Sequence, residues 1–302
     1  MIEIYSRPEL FSGSCYDIFV EMWTQSFMVR GILVTGVAAI VCAVLSCWMI
    51  LIGWSLLGDA LSHAVLPGIV IAYLVGAPFS IGALVAALTM AGLIWFMRGK
   101  GKIKEDTAIG VAFTTLFSIG VVLISLFPSQ IDLHHILFGD MLGITRFDMM
   151  QVFLISPVAL GILLYKRRDL TLYAFDKVHA YTIGIDPRRL GLTLIVALSL
   201  TVVVAMQAVG AMLIVALVIT PGAFARLITN SFSKMLCIAP LFSVSCVILG
   251  SYFSYWFDTA SGATVVALQG TAFLLLWTIQ LVRSRIAAKG TIPGTPLVAP
   301  AD

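Results

Sequence analysis

The chain has 302 residues, of which 60% are hydrophobic and 11% are charged, and its formal net charge is +3. Soluble domains carry about 25% charged residues, so this composition excludes an ordinary water-soluble protein. The apolar stretches are continuous rather than alternating, and many approach the roughly 20 residues that a helix needs to cross a bilayer. The sequence therefore predicts an all-α, polytopic membrane protein and argues against a β-barrel.

About nine transmembrane helices are predicted, preceded by an N-terminal interfacial segment (1–27) and followed by a flexible tail (286–302). The transmembrane domain covers 28–285, with spans at about 28–50, 56–76, 79–97, 107–127, 147–165, 190–207, 209–228, 235–257 and 262–283. No cleavable signal peptide is expected, because the first 26 residues carry acidic and polar groups instead of a compact apolar core. The five cysteines lack metal-ligand spacing and are interpreted as packing residues.

Basic residues indicate how the spans are oriented. The strongest basic loops are 98–104 and 165–190, with weaker signals near Arg226 and Arg283. All of these fall on one side if the spans alternate, and the positive-inside rule makes that side cytoplasmic. The prediction is therefore N-out and C-in, although the connection at 51–55, on the same side, contains no base.

Two ionisable residues, Asp59 and His63, occur in the apolar second span, in the stretch LLGDALSHAVLPG. At positions i and i+4 they share one face of a helix. Counted from Gly53 at about 1.5 Å per residue, they lie about 9 and 15 Å into a hydrocarbon core roughly 30 Å thick. A carboxylate at that depth is costly unless it is partnered or hydrated.

Two interpretations of Asp59 and His63 follow from this spacing. A carboxylate oxygen and an imidazole nitrogen on one helical face form half of a site for Mn²⁺, Fe²⁺ or Zn²⁺. The alternative is a buried Asp–His hydrogen bond that only holds helices together. The D-x-x-x-H pattern by itself does not decide between them.

Three residues are candidate hinges, because proline and glycine interrupt or loosen a membrane helix. Pro67 follows His63 by one turn, and Pro221 and Gly222 lie near the predicted cytoplasmic end of the seventh span. For Pro221 and Gly222, a helix end near Arg226 explains the residues equally well.

Known enzyme motifs are missing from the sequence. It lacks G-x-x-x-x-G-K-[ST], which binds nucleotide phosphates, and H-E-x-x-H, which binds zinc in metalloproteases. The basic loops are too short and too poor in aromatic residues to indicate nucleic-acid binding. The sequence therefore predicts neither an enzyme nor a permanently bound cofactor.

Five stretches resemble the metal-ion permease family of ATP-binding-cassette importers, and they occur in the family's order. They are GWSLLGDALSHAVLPGIVIAYLVG (53–76), KIKEDTAIGVAFTTLFSIGVVLIS (102–125), DLHHILFGDMLGI (132–144), AFDKVHAYTIGID (174–186) and AMQAVGAMLIVALVITPGAFARLI (205–228). The resemblance covers most of residues 30–283. It implies an importer permease fold in a bacterial plasma membrane. It also implies three partners: a cytoplasmic ATP-binding subunit, an extracytoplasmic metal-binding protein, and a second permease chain, identical or paralogous.

The resemblance assigns the transported ion to Asp59 and His63, as a transient, low-affinity contact in the pathway. It assigns ATPase coupling to a short cytoplasmic helix within the loop 166–189. The coupling residues implied are Asp176, Val178, Tyr181 and Gly184. In that helix Val178, Ala180, Tyr181 and Ile183 are expected to present an apolar surface, and Gly184 and Pro187 to end it.

A fourth set of residues lies on the predicted outer side, in IDLHHILFGD. The resemblance makes Asp132, His134, His135 and Asp140 an outer gate or a docking surface for the metal-binding protein. The alternative is an interfacial or re-entrant helix whose polar groups only face water.

Several functions stay open at this point. The chain is predicted to import Mn²⁺ or Fe²⁺, with Zn²⁺ next. The alternatives are an ion-coupled secondary transporter, against which the loop 174–189 argues, and a permease for metal chelates or cobalamin. A membrane metalloenzyme would need a third ligand and a catalytic base, and the sequence offers neither.

Overall fold

The computed structural model describes residues 26–100, 104–127, 145–257 and 259–290. These residues form helices joined by short turns, and none of them is in a strand. The helices in chain order are α1 (Ser26–Ile52), α2 (Ser55–Ala64), α3 (Leu66–Val75), α4 (Phe79–Lys100), α5 (Glu105–Leu126), α6 (Arg146–Tyr165), α7 (Arg167–Phe175), α8 (Lys177–Thr182), α9 (Pro187–Val209), α10 (Ala211–Ile228), α11 (Phe232–Phe257) and α12 (Ser261–Gly290). The prediction of an all-α protein is confirmed.

Eight stretches among these residues are long and apolar enough to cross a membrane, and Ile214–Ile228 in α10 is a shorter apolar helix. One of the eight, Leu56–Val75, comprises α2 and α3 together. The polytopic architecture is thus confirmed, whereas the count of nine spans and the orientation stay predictions. Most of the two predicted terminal segments lies outside the described residues, and α12 itself continues to Gly290.

The centre of the bundle is α1, which packs against α6, α7, α9, α10 and α11. Its apolar residues are spread around the whole helix, as expected for a helix surrounded by protein. Leu45, Trp48 and Met49 of α1 are fully buried. By contrast α12, which contacts α10 and α11, leaves Leu275 and Trp277 exposed. The core therefore forms around α1, and α12 lies at the periphery.

A close approach between α3 and α4 depends on two glycines. A Cβ on Gly68 would overlap the backbone carbonyl of Gly82 and lie 2.7 Å from Cβ of Ala86. Small residues permit such close helix packing in membranes. On the other side, a Cβ on Gly120 of α5 would lie 3.0 Å from Cδ of Pro67. These contacts hold α3 between α4 and α5.

Several predicted cytoplasmic segments meet at one end of the bundle. Nη2 of Arg167, at the start of α7, donates a hydrogen bond to Oγ of Ser233 in α11 at 2.7 Å. The ring of Trp54, between α1 and α2, stands edge-on to the ring of Tyr173 in α7, with the centroids 6.3 Å apart. The base-poor connection between α1 and α2 therefore lies beside the basic segment that contains α7, as the predicted topology requires.

Candidate functional site

The helix α2 holds Asp59 and His63 on one face, as their spacing predicts. Nδ1 of His63 lies 3.3 Å from Oδ1 of Asp59 and 3.0 Å from the backbone carbonyl oxygen of Asp59. Oγ of Ser62 donates a hydrogen bond to the same carbonyl at 2.8 Å. The side chain of Asp59 is 44% exposed and that of His63 is 23% exposed. The pair therefore lies at the surface of this chain's own bundle rather than in its core.

These contacts indicate which nitrogen of His63 is available to a metal ion. A carbonyl oxygen only accepts hydrogen bonds, so Nδ1 carries the proton when it bonds to the carbonyl of Asp59. Nε2 then has the lone pair that a metal needs. Metal-binding histidines usually donate their other ring nitrogen to a carbonyl or a carboxylate in this way. The arrangement suits ligation through Nε2.

The helix α5 forms an aromatic wall beside the imidazole of His63. The rings of Phe113 and Phe117 stand edge-on to it, with centroid distances of 6.3 and 6.1 Å. Since both rings are apolar, the polar partners of His63 in this region come from its own helix. The wall limits the directions from which an ion can reach Nε2.

A cavity of about 380 Å³ is lined by both Asp59 and the α1–α2 turn. Gly53 and Trp54 contribute from the turn, and Asp106 and Gly110 contribute from α5. Asp106 is exposed and is the second residue of α5. Two carboxylates, those of Asp59 and Asp106, therefore line the same cavity.

Asp106 is not among the residues that the sequence motifs point to. The sequence feature that could have indicated Asp106 is the change from the basic loop 98–104 to acidic residues at the start of a membrane span. That signal is local and also fits an ordinary helix start, where acidic residues are favoured. The proximity to Asp59 depends on the packing of α2 against α5.

The predicted coupling segment is a short helix, α8, with well-defined ends. Oδ1 of Asp176 accepts hydrogen bonds from the backbone N–H groups of Val178 and His179, both at 2.9 Å, and so caps the helix. Gly184 follows the helix with φ of +86°, a conformation that favours glycine. The cap and the glycine thus fix where α8 begins and where the chain turns into α9.

The segment of α8 exposes three large apolar side chains, next to the exposed polar residues Lys177, His179 and Thr182. The exposed fractions are 73% for Val178, 72% for Tyr181 and 54% for Ile183. Ala180 is fully buried instead, so its expected place on this surface was wrong. The reason is that α8 lies against α7 and α9, and the small Ala180 faces that contact.

The candidate hinges have different surroundings. Pro67 is buried in the first turn of α3, where proline is tolerated, directly after the break at Val65. Pro221 lies inside α10, and the N–H of Gly222 donates a hydrogen bond to Oγ of Ser46 in α1 at 2.8 Å. The helix continues past both residues to Ile228. Bending at these three positions stays a prediction.

The outer-gate residues Asp132, His134, His135 and Asp140 lie outside the described residues, so their roles stay predictions. Within the part of the chain that the structure describes, no group of three or more His, Cys, Asp or Glu side chains is placed to hold a metal ion. In a single chain, Asp59 and His63 therefore offer two ligands.

Comparison with known proteins identifies the family. The model of the ABC 3 transport family matches residues 24–280. The "Probable iron transport system membrane protein" of Haemophilus influenzae is 40% identical over 270 residues, which are 89% of this chain and 100% of the relative. The "Manganese transport system membrane protein MntB" of Synechocystis is 41% identical over 256 residues, 85% of this chain and 84% of the relative.

A solved structure shows the same architecture. A chain of PsaBC from Streptococcus pneumoniae, solved in complex with Fab, matches with a TM-score of 0.77 and 34% identity, covering 87% of this chain and 95% of that chain. The likeness supports the importer permease fold predicted from the five sequence stretches. The chain therefore belongs to the ABC 3 transport family, as a multi-pass bacterial membrane protein and a metal-ion permease of the ATP-binding-cassette type.

Proposed function

We propose that this chain carries a divalent transition-metal ion, Mn²⁺ or Fe²⁺, into the cytoplasm as the permease subunit of an importer. A separate ATP-binding subunit supplies the energy, and an extracytoplasmic binding protein delivers the ion. The observation that carries the proposal is the Asp59–His63 pair, partly exposed on one face of a membrane helix, with Asp59 lining a cavity. The manganese and iron systems named for the relatives support these ions, and Zn²⁺ accepts the same ligand types.

A second permease chain completes the ion site in this proposal. One chain offers a carboxylate and an imidazole, whereas first-row metal ions take four to six ligands in proteins. Two copies facing each other would offer two carboxylates and two imidazoles. The partial exposure of both side chains in the single chain supports this, because a surface pair is available to a facing subunit.

The geometry supports a simple sequence of events. The carboxylate of Asp59 and Nε2 of His63 replace part of the hydration shell of the ion near the middle of the membrane. The ion then moves along the cavity, in which Asp106 provides the next negative charge. Transport needs a site strong enough to accept the ion and weak enough to release it. A site of few protein ligands, shared between two chains, fits that need.

The helix α8 is the proposed contact for the ATP-binding subunit. Its exposed Val178, Tyr181 and Ile183 form an apolar patch at the end of the bundle that contains the basic segments. Asp176 and Gly184 hold the patch in place by fixing the ends of the helix. An apolar patch with a polar border is typical of a protein interface.

The proposed function is tested by ATP-dependent uptake of Mn²⁺ and Fe²⁺. The chain, its ATP-binding subunit and its binding protein are reconstituted in liposomes, and wild type is compared with Asp59→Ala and His63→Ala. Both variants should lose uptake at least about tenfold, which corresponds to 1.4 kcal/mol. Zn²⁺ is measured in parallel, so that the ion with the largest difference identifies the substrate.

Ser62→Ala is the matched control for that experiment. Ser62 lies between the two residues and donates its hydrogen bond to the same backbone carbonyl, but it offers no strong metal ligand. Near-normal uptake by this variant, with loss in the other two, supports an ion site. Near-normal uptake by all three variants contradicts the proposal and leaves the pair as a structural hydrogen bond.

A further inference from the structure

The helix that holds the ion site is a short, separate segment. α2 has 10 residues and lies between two interruptions of the chain. At its start the chain turns at Gly53, whose φ is +83°, and at its end it breaks at Val65 before Pro67. Asp59 and His63 therefore lie on a short helix that is bounded by Gly53 at one end and by Val65 and Pro67 at the other.

Trp54 connects the start of α2 to α7. Its side chain is 5% exposed, and its ring stands at 69° to the ring of Tyr173, with the centroids 6.3 Å apart. Trp54 also lines the cavity that contains Asp59. One residue thus contacts both the α7 segment and the space through which the ion leaves. A movement of Tyr173 changes the position of Trp54, because both side chains are buried and closely packed.

Helix α7 is followed directly by α8, the proposed contact for the ATP-binding subunit. Asp176 is both the last cap of α7 and the first cap of α8, so a single residue separates the two helices. Nε1 of Trp48 in α1 donates a hydrogen bond to Oγ1 of Thr171 at 3.3 Å, which gives α7 a fixed contact on the central helix. A displacement of α8 therefore reaches Tyr173 through one short helix.

We propose that the Tyr173–Trp54 contact transmits movement of α8 to α2, and so controls release of the ion from Asp59 and His63 into the cavity. The inference rests on the proposed function, since it assumes that α8 contacts the ATP-binding subunit. Tyr173 and Trp54 are positioning residues: they act through α2 and do not bind the ion. The force passes through the two rings and not through the phenolic hydroxyl, because Oη of Tyr173 is buried and has no hydrogen-bond partner among the described residues.

The test uses the complete transporter in liposomes and measures two rates, ATP hydrolysis and Mn²⁺ uptake. Tyr173→Leu removes the ring contact, and we expect uptake per ATP hydrolysed to fall about tenfold. A change of this size is typical when two distant sites of one protein are coupled. Binding of Mn²⁺ to the variant should stay unchanged. Tyr173→Phe keeps the ring and removes only the unpartnered hydroxyl, so its uptake per ATP should equal that of wild type.

Phe242→Leu is the control for a general loss of aromatic packing. Phe242 stacks on Phe224 between α10 and α11, with the centroids 3.7 Å apart, and neither residue lines the cavity. It should leave uptake per ATP unchanged. If Tyr173→Leu does not reach the membrane, Trp54→Leu removes the ring contact from the other side, and a normal ratio in that variant overturns the proposal.

Three results contradict the inference: normal uptake per ATP in Tyr173→Leu, an equal loss in Tyr173→Phe, or an equal loss in Phe242→Leu. Failure of the proposed function looks different, since uptake would then be independent of Asp59 or of ATP. In that case wild type and Asp59→Ala behave alike, or wild type takes up Mn²⁺ equally with and without ATP. If only the proposed transmission through Tyr173 and Trp54 is wrong, Asp59→Ala still abolishes uptake while Tyr173→Leu does not affect it.

Discussion

Nδ1 of His63 lies 3.0 Å from the backbone carbonyl oxygen of Asp59, one turn earlier in the same helix. The contact orients the imidazole without help from another helix. With the proton on Nδ1, the lone pair of the imidazole is on Nε2. The side chain of Asp59 lies 3.3 Å from Nδ1 and is the second ligand of the proposed ion site.

Replacements of His63 of different length test the assignment of Nε2. The amide of glutamine reaches about as far as Nε2 of histidine, whereas the shorter amide of asparagine reaches only as far as Nδ1. We expect His63→Gln to retain measurable Mn²⁺ uptake, and His63→Asn to lose it as fully as His63→Ala. Initial uptake rates in liposomes, normalised to the amount of inserted protein, provide the measurement. A more active Asn variant would assign the ligand to Nδ1 instead.

Asp106 offers a test of the exit route. Because it shares the cavity with Asp59, we expect Asp106→Asn to slow uptake while leaving Mn²⁺ affinity at the Asp59–His63 site unchanged. Asp148→Asn, which also removes an acidic side chain near a helix start, is the control, because Asp148 lies in α6 and not in the cavity lining. Stopped-flow uptake and equilibrium binding separate the two effects. Equal slowing by both variants would show a general charge effect rather than a route.

The contact between Gly68 and Gly82 predicts a loss of stability. A Cβ on Gly68 overlaps a backbone carbonyl that no rotamer change can move, so Gly68→Ala should cost about 1–3 kcal/mol, as overpacking usually does. Gly92→Ala in α4 is the control, because a Cβ there meets nothing within 4 Å. Thermal unfolding in detergent should show a lower Tm for the first variant only. An unchanged Tm for Gly68→Ala would contradict the close approach of α3 and α4.

Loss of the N-terminal cap of α8 should weaken binding of the ATP-binding subunit while the membrane domain stays folded. Asp176→Ala removes the acceptor of two backbone N–H groups, and loss of such a cap typically costs about 1 kcal/mol. Binding of the ATP-binding subunit should weaken, whereas Asp176→Ser, which also caps helices, should bind nearly as wild type. Co-purification and surface binding measurements check this. If the Ala variant binds normally, α8 is not the contact or its cap is not needed.

The features that could be predicted from the sequence are those that depend on near neighbours in the chain. Asp59 and His63 share a face because they are four residues apart in a helix. Asp176 and Gly184 mark the ends of α8 through local hydrogen bonding and backbone conformation. The apolar spans follow from continuous hydrophobic stretches, so the all-α architecture was predictable as well.

The features that the sequence did not predict depend on contacts between distant segments. Asp106 joins Asp59 because α5 packs against α2, and Trp54 meets Tyr173 because α7 folds back onto the bundle. Ala180 was placed on the wrong side because a helix of six residues is too short for its buried face to be read from periodicity. The hydrogen bond from the N–H of Gly222 to Oγ of Ser46 likewise cannot be predicted from the sequence around either residue.

Binding of Mn²⁺ to the purified permease decides whether Asp59 and His63 hold the ion. Pulsed electron paramagnetic resonance reports nitrogen bonded to Mn²⁺, and equilibrium titration gives the number of ions per chain. The account predicts one Mn²⁺ for two permease chains, with nitrogen coupling that disappears in His63→Ala and binding that is lost in the Asp59→Ala/His63→Ala double variant. Unchanged binding and unchanged nitrogen coupling in the double variant would contradict it, because the ion would then be held elsewhere.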